Sequence, residues 1–139
     1  MENCIFCKIV NREIPGHILF ENEDVLVFLD ISQATKGHTL IIPKVHCDDI
    51  FMMDEELSAR VFSVVPKIAR ALKVTFGATG INLLNNNGKD AGQEVFHYHI
   101  HLIPRYPGDG VKFKLPNNTS QTDSTTLSAL KEEILLCIN

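Results

Sequence analysis

Between Val95 and Ile103 the chain reads Val-Phe-His-Tyr-His-Ile-His-Leu-Ile, a two-residue alternation of imidazole and apolar side chains. A helix would smear that pattern around its axis, whereas an extended strand sorts it onto two faces. Tyr98, Ile100 and Leu102 then point into a core, and His97, His99 and His101 share the opposite face. Three of the six histidines of this 139-residue chain lie in this stretch. A His-rich solvent-facing strand or an adventitious metal site would also produce the pattern. Chemistry offers a more specific reason: imidazole titrates near neutrality and serves as nucleophile, proton donor or orienting group.

Around this strand the sequence implies one α+β domain. Apolar runs predict further strands at Ile18–Glu21, Val25–Asp30, Thr39–Pro43 and Ile81–Asn85. Leu57, Val61, Val64, Val65, Ile68 and Leu72 recur at the spacing of one amphipathic helix, with Asp54 as N-cap and Gly77 as stop. Pro66 falls inside it and predicts a kink rather than a break, because the stripe continues past it. Leu127, Leu130, Ile134 and Ile138 predict a second, C-terminal helix. Pro107–Asp123 is rich in turn formers and reads as connector. The whole of 1–139 is expected to be one domain, with a core over 1–106 and a loop plus helix over 107–139. The predicted architecture is an antiparallel sheet of about five strands with a central helix and a C-terminal helix.

Charge and cysteine usage narrow the function classes. A net charge of −4 argues against duplex DNA or an anionic membrane as partner, since both need a basic footprint. No apolar run reaches the length of a membrane span. Met1-Glu2-Asn3-Cys4 lacks the basic and apolar regions of a signal peptide, so the expected compartment is the cytoplasm, with thiols reduced. Cys4 and Cys7 form a C-x-x-C pair, which suits a redox dithiol or half of a zinc site. His46 and His97 are available to complete a Cys₂His₂ set. Asn85-Asn86-Asn87-Gly88 beside the histidine strand offers amides to an anion, or simply a hairpin turn. No phosphate-binding loop of the G-x-x-x-x-G-K type is present.

The stretch Gly92-Gln93-Glu94-Val95-Phe96-His97-Tyr98-His99-Ile100-His101-Leu102-Ile103 resembles the histidine-triad (HIT) motif. The likeness extends to Cys4–Lys8, Arg12–Pro15, Phe28–Ile31, Gly37-His38 and Ile42–His46. It is most similar to the Hint-like branch of purine nucleotide-binding hydrolases, which includes bacterial Hit proteins. That resemblance implies His99 as nucleophile on an α-phosphorus, through a nucleotidyl-histidine intermediate. It places His97 beside the nucleophile in the catalytic triad, His101 and Gln93 on the phosphate and Asn86 near it. Asp30 would accept from ribose hydroxyls, with a turn or cap as the competing role. Phe6, Ile9, Phe28 and Ile31 would line a slot for the base, or belong to the core.

The resemblance further implies one structural Zn²⁺ per chain on Cys4, Cys7, His46 and His97. It also implies a homodimer pairing through the central helix and an adjoining strand; on that helix Phe62 and Ala69 lie outside the main apolar stripe. The expected substrates are purine nucleoside 5′-phosphoramidates carrying an AMP or GMP moiety. Dinucleoside polyphosphates (Ap4A or Ap3A type) are the alternative, and a zinc-stabilised nucleotide-binding scaffold is the rival of another class. Glu94 departs from the pattern. Phosphoramidase members often carry Ser there, near the leaving group, where a carboxylate can protonate or repel.

Overall fold

The computed structural model describes residues 3–138; Met1 and Glu2 of the N-terminal segment, and Asn139, lie outside them. Five antiparallel strands form one sheet in the order β1-β2-β3-β5-β4: β1 (Ile18–Glu21), β2 (Val25–Leu29), β3 (Thr39–Pro43), β4 (Gly80–Leu84) and β5 (Ile100–Arg105). The helices are α1 (Ile5–Val10), α2 (Glu55–Phe76) and α3 (Ser124–Leu135). The expected α+β architecture is what forms.

Two cores sandwich the sheet. On one face Val25, Val27, Ile41, Tyr98, Ile100 and Leu102 pack against Leu57, Val61, Val64, Val65, Ile68 and Leu72 of α2. On the other, Leu26, Phe28, Leu40 and Ile42 pack against Phe6 and Ile9 of α1. Strands β2 and β3 are covered on both faces, which is why they read as continuous apolar runs instead of alternating ones.

Helix α2 follows its sequence signals closely. Asp54 caps it by accepting from the Leu57 amide at 2.7 Å, and Gly77 ends it in the left-handed region at φ 67°. The helix runs unbroken through Pro66, whose ring is exposed. Ala69 is partly buried against the core, so of these two only Phe62, 44% exposed, faces outward. Helix α3 carries the expected stripe, yet none of its residues is buried.

Two elements differ from the sequence reading. Helix α1 falls where the sequence announced no element; Cys4 is its N-cap and its Sγ accepts from the Cys7 amide at 3.4 Å. Six residues carry too little periodicity to announce a helix. The histidine strand also starts later, at Ile100 rather than Val95, and continues to Arg105. Its neighbour β3 ends at Pro43, which has no amide to extend a ladder. The segment ahead of β5 is fastened individually: Tyr98 N donates to Cys47 O at 2.6 Å, and Asn85 Nδ2 donates to His99 O at 2.9 Å. Smaller shifts affect β2, which stops at Leu29, and β4, which spans Gly80–Leu84. No described helix is long and apolar enough to cross a membrane.

Candidate functional site

The three histidines of the alternation occupy three different environments. His97 is fully buried, His99 nearly so, and His101 is partly open. Helix α1 makes the difference, because it covers the histidine face. Phe6 meets the ring of His97 edge-on at 5.9 Å and that of His99 at 5.2 Å.

Partner groups determine which nitrogen of each ring carries its proton. His97 donates from Nε2 to the Pro43 carbonyl at 2.8 Å. Its Nδ1 lone pair therefore faces the thiols of Cys4 at 3.4 Å and Cys7 at 3.5 Å. His46 donates from Nε2 to Asp48 Oδ1 at 2.7 Å, which aims its Nδ1 lone pair at Cys7 Sγ, 3.3 Å away. These separations match the edges of a tetrahedron with metal–ligand bonds of about 2.0–2.3 Å. Burial and the adjacent Cys4 raise the Cys7 thiol, a shift that a bound cation would reverse. Both histidines have the outer partner that orients a metal-bound imidazole. The four residues fit a zinc ion closely.

His99 is set up differently. Its Nδ1–H donates to the His97 carbonyl at 2.8 Å, leaving the Nε2 lone pair free. Burial lowers its pKa, with that carbonyl and Asp30 opposing, so the ring is neutral at pH 7. His38 accepts the Ala34 amide on Nδ1 at 3.1 Å, so its Nε2–H donates to His101 Nδ1 at 2.8 Å. His101 is thereby left with a proton on Nε2. Burial, together with His99 and His38, pushes the His101 pKa down to about 4. A lone pair on His99 and an N–H on His101 stand side by side, ring centroids 5.0 Å apart.

Asp30, His38 and His101 also approach one another closely enough to suggest a metal site. The tautomers argue against it. His38 already accepts a hydrogen bond on Nδ1, so ligation at Nε2 would leave its ring with no proton at all. This cluster is a hydrogen-bonded relay from the Ala34 amide through His38 to His101, with the Asp30 carboxylate beside it.

A pocket of about 340 Å³ is lined by His99, His101, Asn86, Gly92, Asp30 and Glu94, among others. It opens into an apolar groove of about 550 Å³ that Phe6, Ile9 and Phe28 help to line. Ile9 belongs to the core as well as to the groove wall, and Ile31 is a rim residue, 96% exposed. Asp30 stands where pocket and groove meet. Its Oδ1 accepts from the Ser32 amide at 2.8 Å and the Ser32 hydroxyl at 2.6 Å. The turn role is therefore real. Burial raises the Asp30 carboxyl, and the Ser32 bonds and nearby His38 more than offset this, so its pKa lies below the ordinary value. Oδ2 faces His38 at 3.5 Å and His101 at 4.0 Å.

Gln93 is placed otherwise than expected for a phosphate contact. It is buried, its Nε2 donates to Asp48 O and Val95 O, and its Oε1 accepts from Gly88 N. Its side chain ties the loop before the histidines together instead of lining the pocket. His97 likewise lines neither the pocket nor the apolar groove; its main-chain carbonyl holds His99.

Several supporting residues escape a reading by motif: Asn85, which carries the His99 main chain, Asp48, which orients His46, and His38, which sets the His101 tautomer. Gly37-His38 was visible as part of the resemblance, but the contact that gives His38 its role spans 63 positions of sequence. Gly37 has φ 93°, and a Cβ there would lie 2.9 Å from the Phe76 ring, so the approach to His38 needs glycine.

A profile of the HIT domain matches residues 11–108. The chain is 58% identical over 110 residues to the protein named hit of Bacillus subtilis, covering 78% of this chain and 76% of that one. It superposes on the crystal structure of a HIT family protein from Bacillus anthracis with a TM-score of 0.96 and 49% identity, over 99% of both chains. A Zn-bound histidine triad family protein from Mycobacterium smegmatis is similar at TM-score 0.76 and 37% identity, over 95% of this chain and 98% of that one.

Proposed function

The chain belongs to the HIT domain family, and we propose that it is a nucleotide-binding hydrolase or nucleotidyl transferase acting on purine nucleoside 5′-phosphoramidates. The observation that carries this reading is the pairing of the free His99 Nε2 lone pair with the His101 Nε2–H in one pocket. The first is a nucleophile of fixed tautomer and the second a donor for developing phosphoryl charge. The apolar groove suits a purine, and Asp30 at its junction with the pocket suits ribose hydroxyls.

His99 Nε2 adds to the α-phosphorus, and the bond to the leaving group breaks with its electron pair going to the leaving atom, which takes up a proton. Water then attacks the phosphorus of the nucleotidyl-histidine, its proton passes to solvent, and Nε2 is released with its lone pair restored. His101 Nε2 and the Asn86 amide, both on the pocket wall, donate to the phosphate oxygens. A zinc ion on Cys4, Cys7, His46 and His97 would have all four positions filled by protein, so its contribution would be structural.

A panel of AMP derivatives with amine, phosphate, sulfate and fluoride leaving groups tests the reading, with the amine expected to turn over fastest. Tight AMP binding with no turnover of any of them would favour a binding scaffold instead. Asp30→Ala should weaken AMP binding by about 1.5–3 kcal/mol, the range for hydrogen bonds to a charged acceptor. On that variant a 2′,3′-dideoxynucleotide should lose little further affinity. Equal losses on both backgrounds would remove Asp30 from the ribose contact.

The functional unit in this reading is a homodimer. The outward-facing Phe62 on α2, the exposed Leu83 on the outermost strand β4 and the uncovered stripe of α3 support it. Sedimentation at micromolar protein should return twice the chain mass; a monomeric mass would exclude it.

A further inference from the structure

Glu94 sits where three cavities meet. It lines the histidine pocket, the apolar groove and a third groove of about 740 Å³ beside the start of α1. Val95 is the other residue common to all three, so the two form the ridge between them. The third groove is walled by Cys4, Ile5, His46, Asp48 and Phe96, together with Asn3. Its acidic side chains are Asp48 and Glu94, and no lysine or arginine lines it among the described residues. Ile5, 50% exposed, and Phe96, 45% exposed, add apolar surface.

The backbone on both sides of Glu94 is held firmly. Gln93 ties Val95 O to Asp48 O through its amide nitrogen and takes the Gly88 amide on its oxygen. Gly92 turns the chain at φ 85° just before. The Glu94 side chain is exposed on this fixed ridge, so its charge is presented at a defined place.

An α-phosphorus joins the nucleoside on one side to the leaving group on the other. With the nucleoside in the apolar groove and the phosphorus before His99, the third groove is open to the leaving group past Glu94. Building on the transfer reaction proposed above, we propose that Glu94 determines the charge of the leaving group. The third groove takes a leaving amine that bears a second, positively charged amino group on a short alkyl chain. The alkyl part would lie along Ile5 and Phe96 and the ammonium near Glu94 and Asp48. A polyphosphate leaving group would meet the same carboxylates and be repelled.

The test uses three AMP phosphoramidates of equal chain length, made from diaminobutane, butylamine and aminobutyrate. Their kcat/KM values are compared in the wild type, Glu94→Gln and Glu94→Lys. In the wild type the ammonium compound should exceed the uncharged one by about three- to fivefold, and the carboxylate compound should fall below it by a similar factor, the size of a solvent-exposed charge pair. Added salt should shrink both ratios. Glu94→Gln should reduce the preference, and Glu94→Lys should invert it. A rank order that ignores charge, or one unchanged in both variants, overturns the proposal. If the wild type turns over none of the three, the transfer reaction itself fails. The charge preference is then read from calorimetric affinities of the same compounds. A preference for the ammonium compound that Glu94→Gln removes would uphold the role of Glu94, and equal affinities would overturn it.

Discussion

His99→Ala is expected to abolish turnover, by a factor on the order of 10³ or more, because no other side chain can take over as the nucleophile. AMP affinity should change little, since base and ribose are held by the apolar groove and Asp30. With α-phosphate-labelled substrate, the wild type should yield an acid-labile covalent label that the variant lacks. The structure offers few substitutes. His101 directs a proton, not a lone pair, toward the pocket. His97 has one nitrogen on the Pro43 carbonyl and the other turned to the two cysteines. Substantial residual activity, or label retained on the variant, would overturn covalent catalysis by His99.

Removal of zinc should produce the largest change in stability. The Cys4, Cys7, His46 and His97 set joins α1, the segment after β3 and the approach to β5, and metal binding at such a set is coupled to folding. Cys4→Ser, or a chelator, should lower stability by about 3–5 kcal/mol, or about 10–20 °C in melting temperature for a domain of this size. Activity should decline as the fold loosens. Phe6 provides the route, because it sits on the helix that bears both cysteines and touches the His99 ring. Acid should act in the same direction on the metal-free protein. Burial pushes the His97 pKa down to about 4 from its ordinary 6.5. Its contribution is therefore fully present above 6.5 and is lost as the pH falls toward 4, where the unfolded chain binds the proton more readily. Elemental analysis of protein purified without added zinc, paired with melting curves, checks this. Less than about half an equivalent of metal with an unchanged melt would leave His46 and His97 as hydrogen-bonding support for the strand.

Much of the architecture is legible because it is encoded over short sequence distances. The apolar stripe of α2, its Asp54 cap and its Gly77 stop are set by residues within a turn of one another, and they appear where the sequence puts them. The alternation of Tyr98, Ile100 and Leu102 with the histidines survives even where the ladder does not, since an extended backbone alone keeps that period. Candidate ligands and candidate nucleophile were visible as residue types in a pattern.

Which nitrogen of each histidine holds its proton was not visible, and only tertiary structure decides it. An imidazole is nucleophile, donor or ligand according to which nitrogen holds the proton, and that depends on the group facing the other nitrogen. For His97 the group is a carbonyl 54 positions away, and for His101 it is a ring 63 positions away. Gln93 shows the same limit: the resemblance implied a phosphate contact, but three main-chain groups use its amide first. Sequence determined which residues could do the chemistry. Packing across the sheet decided which lone pairs remain free to do it, because hydrogen-bond direction is a property of neighbours in space.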